Sequence, residues 1–295
     1  MDLSSLLFGH SKALYSTWLF YKPDHLLIDC GEGVATSLGN GSYAIERVLL
    51  THGHIDHIAG LPPLIWSRAG GMGDNEKPLA IYYPRSDGYV ADMQEYLNKT
   101  KSRLPFELTW VPLEAGASFS LPATDGSRHG RRVQTFATRH IRDRLTIGYK
   151  ILETRRRLKP EYSTLAQEEL RRLAQAGYEL SENYEATLCA FGGDGLPLNP
   201  HDVQGAEVLL HEATILDAAE RKHQMHSTLD EAMQVAAQVQ PKAFVLYHVS
   251  GRYRRSDIEK TARESIARNG VDFPVWCLFR DRLWHIAPDE NGARK

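Results

Sequence analysis

The sequence predicts an α/β protein whose β-sheets are covered by helices, and two observations carry that prediction. Short apolar runs rich in β-branched and aromatic residues recur along the chain, at 13–21, 26–29, 48–51, 79–83, 145–152, 187–191, 208–211, 243–247 and 275–279. The first few lie close together, as in hairpins or meanders, whereas the later ones are separated by segments with helical periodicity. Helix starts are also legible. Thr164-x-x-Gln167, Thr228-x-x-Glu231 and Ser256-x-x-Glu259 each read as a capping box, and Gly177 and Gly270 stand where C-terminal caps belong. Nothing in the chain reads as a linker or repeat, so residues 1–295 are expected to form a single domain. Residues 153–185, charged and helical in pattern between two strand-like runs, are expected to protrude from it as an inserted basic arm.

Composition supports a globular chain and narrows the partners. Hydrophobic residues make up 42% and charged residues 24%, ample for a core. The net charge of −2 gives no global signal for nucleic acid. Cys30, Cys189 and Cys277 are scattered and never spaced as C-x-x-C, which argues for a reducing compartment and against a thiolate zinc site. No apolar run approaches the ~20 residues of a membrane helix. A cytoplasmic protein without membrane contact is expected.

Chemistry is concentrated at one place. Directly after the run at 48–51 comes His52-Gly53-His54-Ile55-Asp56-His57. Three imidazoles and a carboxylate on a turn leaving a strand are placed to converge on metal. Neutral imidazole with carboxylate suits zinc. The spacing does not easily bring all four groups to one ion, so two adjacent ions are the natural solution.

The pattern H-x-H-x-D-H after a strand resembles the signature of the metallo-β-lactamase superfamily, which implies an αββα sandwich with a dinuclear site at one sheet edge. Further stations follow in that family's order: Asp29 in Asp29-Cys30-Gly31-Glu32-Gly33, His140, Asp194 in Gly192-Gly193-Asp194, and His248 ending Val245-Leu246-Tyr247. The resemblance then implies that His52, His54 and His140 hold one ion and that Asp56, His57 and His248 hold the other. Asp194 would bridge them, and Asp29 would stand behind the site. Two Zn2+ per chain are expected, with Mn2+ as an alternative. Imidazole at position 54, where redox members resemble H-x-E-x-D, favours hydrolysis.

Two more motifs narrow the substrate. His211-Glu212-Ala213-Thr214 ends a strand and His226-Ser227-Thr228 opens a helix, together resembling paired motifs of the ribonuclease Z family. That resemblance implies a zinc-dependent endoribonuclease that removes the 3′ trailer from precursor tRNA, and a homodimer. The residues fit the chemistry. A phosphodiester needs a proton donor for its leaving oxygen, and His226 beside a helix N-terminus can supply one, oriented by Glu212. Asp56 is the candidate base for the attacking water. Ser227 and Thr228 are expected to contact substrate. From Arg128 to Lys159 there are eleven Lys/Arg against Asp143 and Glu153, a local +9 that suits a phosphate backbone. Arg155, Arg156, Arg157 and Lys159 within it resemble the basic arm of the short-arm bacterial branch. The chain lacks the G-T-G-S loop near residues 7–12 and the P-x-K-x-R-N loop of long-arm members, so the cleavage position relative to CCA is open. The alternative reading is a dinuclear-zinc phosphodiesterase of the same fold acting on a small or cyclic phosphodiester.

Overall fold

The computed structural model describes residues 2–71, 76–100, 103–122 and 130–286. Its first half builds one sheet from β1 (Leu7–Lys12), β2 (Ser16–Tyr21), β3 (Leu26–Ile28), β4 (Arg47–Leu49), β5 (Leu79–Pro84) and β6 (Leu108–Leu113), in that order. The first two pairings are antiparallel and the rest parallel. Helices α1 (Val34–Leu38), α2 (Ile55–Ile58), α3 (Leu61–Gly70) and α4 (Gly88–Thr100) lie between these strands in sequence. The second sheet holds β7 (Ser118–Leu121), β8 (Arg131–Thr138), β9 (Thr146–Leu158), β10 (Ser181–Phe191), β11 (Ala206–Glu212), β12 (Ala243–Tyr247), β13 (Val275–Phe279) and β14 (Arg282–His285), in reverse order across the sheet. The helices of this half are α5 (Gln167–Gln175), α6 (Pro200–Val203), α7 (Leu229–Val239) and α8 (Arg255–Asn269).

The period-2 alternation of the strands stacks these elements into four layers. Along β3, Leu26 and Ile28 join a core between the two sheets, while Leu27 faces a second core under α3 and α4. Along β12, Val245 and Tyr247 join the inter-sheet core, while Phe244 and Leu246 pack beneath α7 and α8. A helix layer therefore closes each outer face, giving the αββα order.

The runs read from the sequence coincide with β2–β5 and β9–β13, whereas β1, β6, β7, β8 and β14 escaped notice. Most of these lie at sheet edges and are only partly covered: β7 and β14 are largely exposed and β6 half-buried. In β1 the inward positions include Gly9 and Ser11, which carry no apolar signal. The caps divide likewise. Thr228 caps α7, accepting the Glu231 N–H at 3.2 Å while Glu231 accepts the Thr228 N–H at 2.8 Å, and Gly270 closes α8 with positive φ. Thr164 and Ser256 do not cap. α5 starts beyond Ala166 without a side-chain cap, and α8 starts after Arg254, whose N–H goes to Asp257 at 3.0 Å.

Residues 153–185 are not mainly helical. β9 and β10 run on from the sheet as a two-stranded ribbon, paired from Thr154↔Glu185 out to Leu158↔Ser181, and only α5 near its tip is α-helical. A register shift between Thr187 and Cys189 marks where the ribbon leaves the body, as bulges commonly do.

Candidate metal centre

Apart from His226, which lies just ahead of α7, each functional side chain sits at or just past the end of a strand, at one edge of the paired sheets. Asp29 follows β3, His52 to His57 follow β4, Asp194 follows β10, Glu212 ends β11 and His248 follows β12. His140 comes from the β8–β9 connection. Two of these positions need left-handed backbone, Asp29 at φ 54° and His248 at φ 55°. Such strain at non-glycine residues persists only where neighbours hold it. Here Asp29 accepts the Thr51 N–H at 2.8 Å, and His248 donates its N–H to buried Ser11 Oγ at 2.8 Å.

A shell of hydrogen bonds fixes the imidazole tautomers. His57 Nδ1–H donates to Asp29 Oδ2 at 2.7 Å, and Thr51 Oγ1, itself bound to Asp29, accepts from His52 Nδ1 at 3.0 Å. His140 Nδ1–H donates to the Met225 carbonyl at 2.8 Å. His248 Nδ1–H donates to Thr214 Oγ1 at 2.9 Å, and that hydroxyl donates onward to the His248 carbonyl at 2.9 Å. With each Nδ1 protonated, the four Nε2 lone pairs are left for the interior, the usual arrangement behind a metal-binding histidine. His54 presents Nδ1, 3.1 Å from His140 Nε2.

The inward atoms form two groups joined by a carboxylate. His52, His54 and His140 bring ligand atoms within 4.8 Å of one another, as do Asp56, His57 and His248. Asp194 Oδ2 lies 3.2 Å from His57 Nε2, 3.1 Å from His248 Nε2 and 4.0 Å from His52 Nε2. Three of the buried atoms here, His52 Nε2, His57 Nε2 and Asp194 Oδ1, have no hydrogen-bond partner among the described residues. Leaving them so would cost on the order of 1–3 kcal/mol each, whereas a divalent cation satisfies all of them, so the donor set fits metal. For three of the imidazoles the electrostatics agree. Burial lowers the pKa values of His52, His54 and His140, keeping them neutral as ligands must be. His57 differs: burial would lower it, but Asp194 and Asp29 outweigh burial and raise it well above its usual value, so a cation would have to displace the second proton before His57 could ligate.

Beside this cluster stands an acid–base pair. Glu212, fully buried, accepts from His226 Nδ1 at 2.9 Å, Ser227 N–H at 3.0 Å, Gly195 N–H at 3.2 Å and Thr214 N–H at 2.7 Å. Burial pulls the His226 pKa down, but the hydrogen bond and charge of Glu212 outweigh it and lift it to about 9. The His226 ring packs 4.8 Å from His140 and 5.5 Å from His248, centroid to centroid. His211 is a structural lock, with Nδ1–H on the Glu212 carbonyl and Nε2 accepting the Leu198 N–H.

The expected substrate contacts need correction. Ser227 Oγ donates to the Gly195 carbonyl at 2.8 Å and Thr228 Oγ1 caps α7, so both side chains are buried and turned inward. Part of the arm's charge is answered. Arg155 pairs with Glu153 at 2.7 Å and Glu207 at 2.5 Å, and Arg157 with Glu182 at 2.8 Å. Arg132 binds Glu185 at 2.6 Å, and Arg131 reaches Asp24 and Glu153. Arg156 projects from the opposite ribbon face and, among the described residues, has only the Glu179 carboxylate near it, at 4.0 Å. Glu182 and Glu185 come from β10, Glu179 from its approach and Glu207 from β11, all distant in sequence from the basic run, whereas Asp24 precedes β3 and Glu153 lies within β9. Arg128 lies outside the described residues, and Lys159 is half-buried at the ribbon tip. Among the described residues, Arg139 and Arg144, beside His140, have no carboxylate partner. Sequence reading overlooked Thr214, which contacts both His226 and His248, and Asp87, which accepts the Gly53 N–H at 2.8 Å and caps α4. Thr214 stands in the His211–Thr214 motif. Asp87 carries no motif.

Fold and site together define a hydrolase of the metallo-β-lactamase fold built to carry divalent metal. The profile described as Beta-lactamase superfamily domain matches residues 25–249. Ribonuclease Z of Halalkalibacterium halodurans is 30% identical over 85% of this chain and 87% of its own, and that of a Bradyrhizobium species is 31% identical over 81% and 84%. The crystal structure of the metallo-β-lactamase fold protein YhfI from Bacillus subtilis shares the fold, with TM-score 0.63 and 16% identity, covering 95% of this chain and 98% of that one. The chain belongs to the β-lactamase superfamily and, within it, to the ribonuclease Z family.

Proposed function

We propose that this protein is a zinc-dependent endoribonuclease, acting as a cytoplasmic homodimer, that removes the 3′ trailer from precursor tRNA. The observation that carries the reading is the pairing of buried Glu212 with half-buried His226, set against two ligand groups joined by Asp194, in a chain 30% identical to a ribonuclease Z across most of its length. His52, His54 and His140 would hold one cation, Asp56, His57 and His248 a second, and Asp194 both. Imidazole and carboxylate without thiolate suit zinc. Bound there, the cations would supply Lewis-acid polarisation of the phosphate and a more acidic water. Asp56 Oδ2 accepts the Leu14 N–H at 3.0 Å and, among the described residues, no donor reaches Oδ1, which leaves that oxygen to take the proton of the attacking water. Glu212 holds His226 protonated, so Nε2–H can pass its proton to the departing 3′ oxygen. Arg144, stacked over Tyr89 next to His54, is a candidate partner for phosphate.

One observation favours a second reading, a small or cyclic phosphodiester as substrate: carboxylates occupy the guanidinium groups of Arg155 and Arg157, so the arm offers RNA less charge than its sequence implies. One experiment separates the two. Purified protein is incubated with end-labelled precursor tRNA and with bis(p-nitrophenyl) phosphate, and the RNA product ends are mapped. A single cut at the 3′ side of the acceptor stem is expected. Turnover of the ester without any RNA cut would overturn the tRNA assignment.

A further inference from the structure

We infer that the hollow beside His54, walled by Tyr89, Tyr96, Ile55 and Met93, is a stacking site for the unpaired nucleobase immediately 3′ of the scissile phosphate. The inference rests on the ribonuclease reading and extends it to a specific contact. The hollow has a volume of about 490 Å³ and shares one wall, His54, with the candidate metal centre. Its apolar side chains are unusually open: Ile55 is 65% exposed, Tyr89 45% and Tyr96 47%. Large apolar groups left in water beside a reaction centre mark a place where something else is bound. A phosphate seated at the centre places its own nucleoside one sugar away, within reach of this wall. Tyrosine rings are the surface on which unpaired bases stack.

The wall is held in place. Asp87 accepts the Gly53 N–H at 2.8 Å and the Tyr89 N–H at 3.0 Å, tying the N-terminus of α4 to the His52–His57 turn. Gly53 allows this approach, because a Cβ there would stand 2.3 Å from Asp87 Oδ1 and 2.8 Å from Tyr89 Cβ. The Tyr89 ring lies 6.1 Å from that of His54, and the Arg144 guanidinium sits 4.6 Å above it. Ring, cation and adjacent phosphate site are the elements of single-strand binding. The side of the cut follows from the chemistry. His226, the donor to the leaving 3′ oxygen, packs against His140 and His248, while Tyr89 packs against His54. The nucleoside that keeps the phosphate, the first of the trailer, therefore falls on the Tyr89 side.

The test uses full-length protein and a precursor tRNA carrying either a normal or an abasic nucleotide immediately 3′ of the cut. Removing the base should lower kcat/KM of the unaltered protein roughly 5- to 100-fold. Tyr89→Ala should impose a similar loss on the normal RNA and add little on the abasic one, whereas Tyr89→Phe keeps the ring and should keep the dependence on the base. Equal loss on both RNAs, or no effect of removing the base, would overturn the stacking site. Sedimentation of Tyr89→Ala covers the rival occupant: a smaller assembly, with a loss independent of the base, would show a second copy of the chain on this wall. If the unaltered protein cuts neither RNA, the ribonuclease reading falls and the site with it. If it cuts both equally, only the site falls.

Discussion

Asp194 faces three imidazoles at once, and His57 and His52 keep Nε2 atoms that no group among the described residues satisfies. Removing that carboxylate should lower bound metal, measured by elemental analysis, and abolish hydrolysis. Full metal content and normal turnover in Asp194→Ala would remove it from the ligand set. His226 makes a separate prediction. His226→Ala should retain metal yet lower kcat on RNA by roughly 10²–10⁴, with a much smaller loss on a nitrophenyl ester, whose leaving group needs little protonation. A proton donor works only while protonated, so the rate on RNA should fall as pH rises through the His226 pKa, about 9 for the chain without cations. Bound cations repel imidazolium and bring that limb lower. Glu212→Gln removes the charge that raises it, so the limb should shift further toward acid. A limb that stays put would break the pairing of Glu212 with His226.

The arm shows how an element redistributes what the sequence places in a row. Consecutive strand residues point to opposite faces, so Arg155 and Arg157 lie on one side of the ribbon and Arg156 on the other. Arg155 is half-buried between Glu153 and Glu207, and its removal would leave two carboxylates short of a donor. Arg155→Ala should therefore cost about 1–3 kcal/mol, seen as a lower Tm. Arg156→Ala should leave Tm unchanged. If Arg156 meets a phosphate, its loss should flatten the salt dependence of RNA binding by about 0.7–0.9 in log–log slope. An unchanged slope would detach the arm from RNA, and an unchanged Tm for Arg155→Ala would show its ion pairs to be idle.

At the scale of the molecule, the site belongs to no single element. It forms where β3, β4, β10, β11 and β12 all end at one edge, which is where open α/β sheets generally bind ligands. Both halves of the chain contribute, so metal should brace one sheet against the other. A ligand at 100 times its dissociation constant adds about 2.7 kcal/mol, so chelation should lower Tm by roughly 5–10 °C. Asp194→Ala should show little of that response. A Tm indifferent to chelator in the unaltered protein would mean the sheets are held without metal.

The sequence by itself determined the class of fold, the run His52 to His57 and the α7 cap. These are local: strand periodicity, a turn and a capping box lie within a few residues of one another, so their physics shows in the order of the letters. His140, Asp194 and His248 were legible through resemblance, because a lone histidine or aspartate has no local signature. Only the tertiary structure decided how charges pair and which side chains turn inward. A run counted as +9 along the chain meets Glu182, Glu185 and Glu207 across the sheet, and Ser227 and Thr228 spend their hydroxyls on a carbonyl and a helix end. Pairing and burial depend on neighbours dozens of residues away, and the strand register, not the sequence order, selects those neighbours.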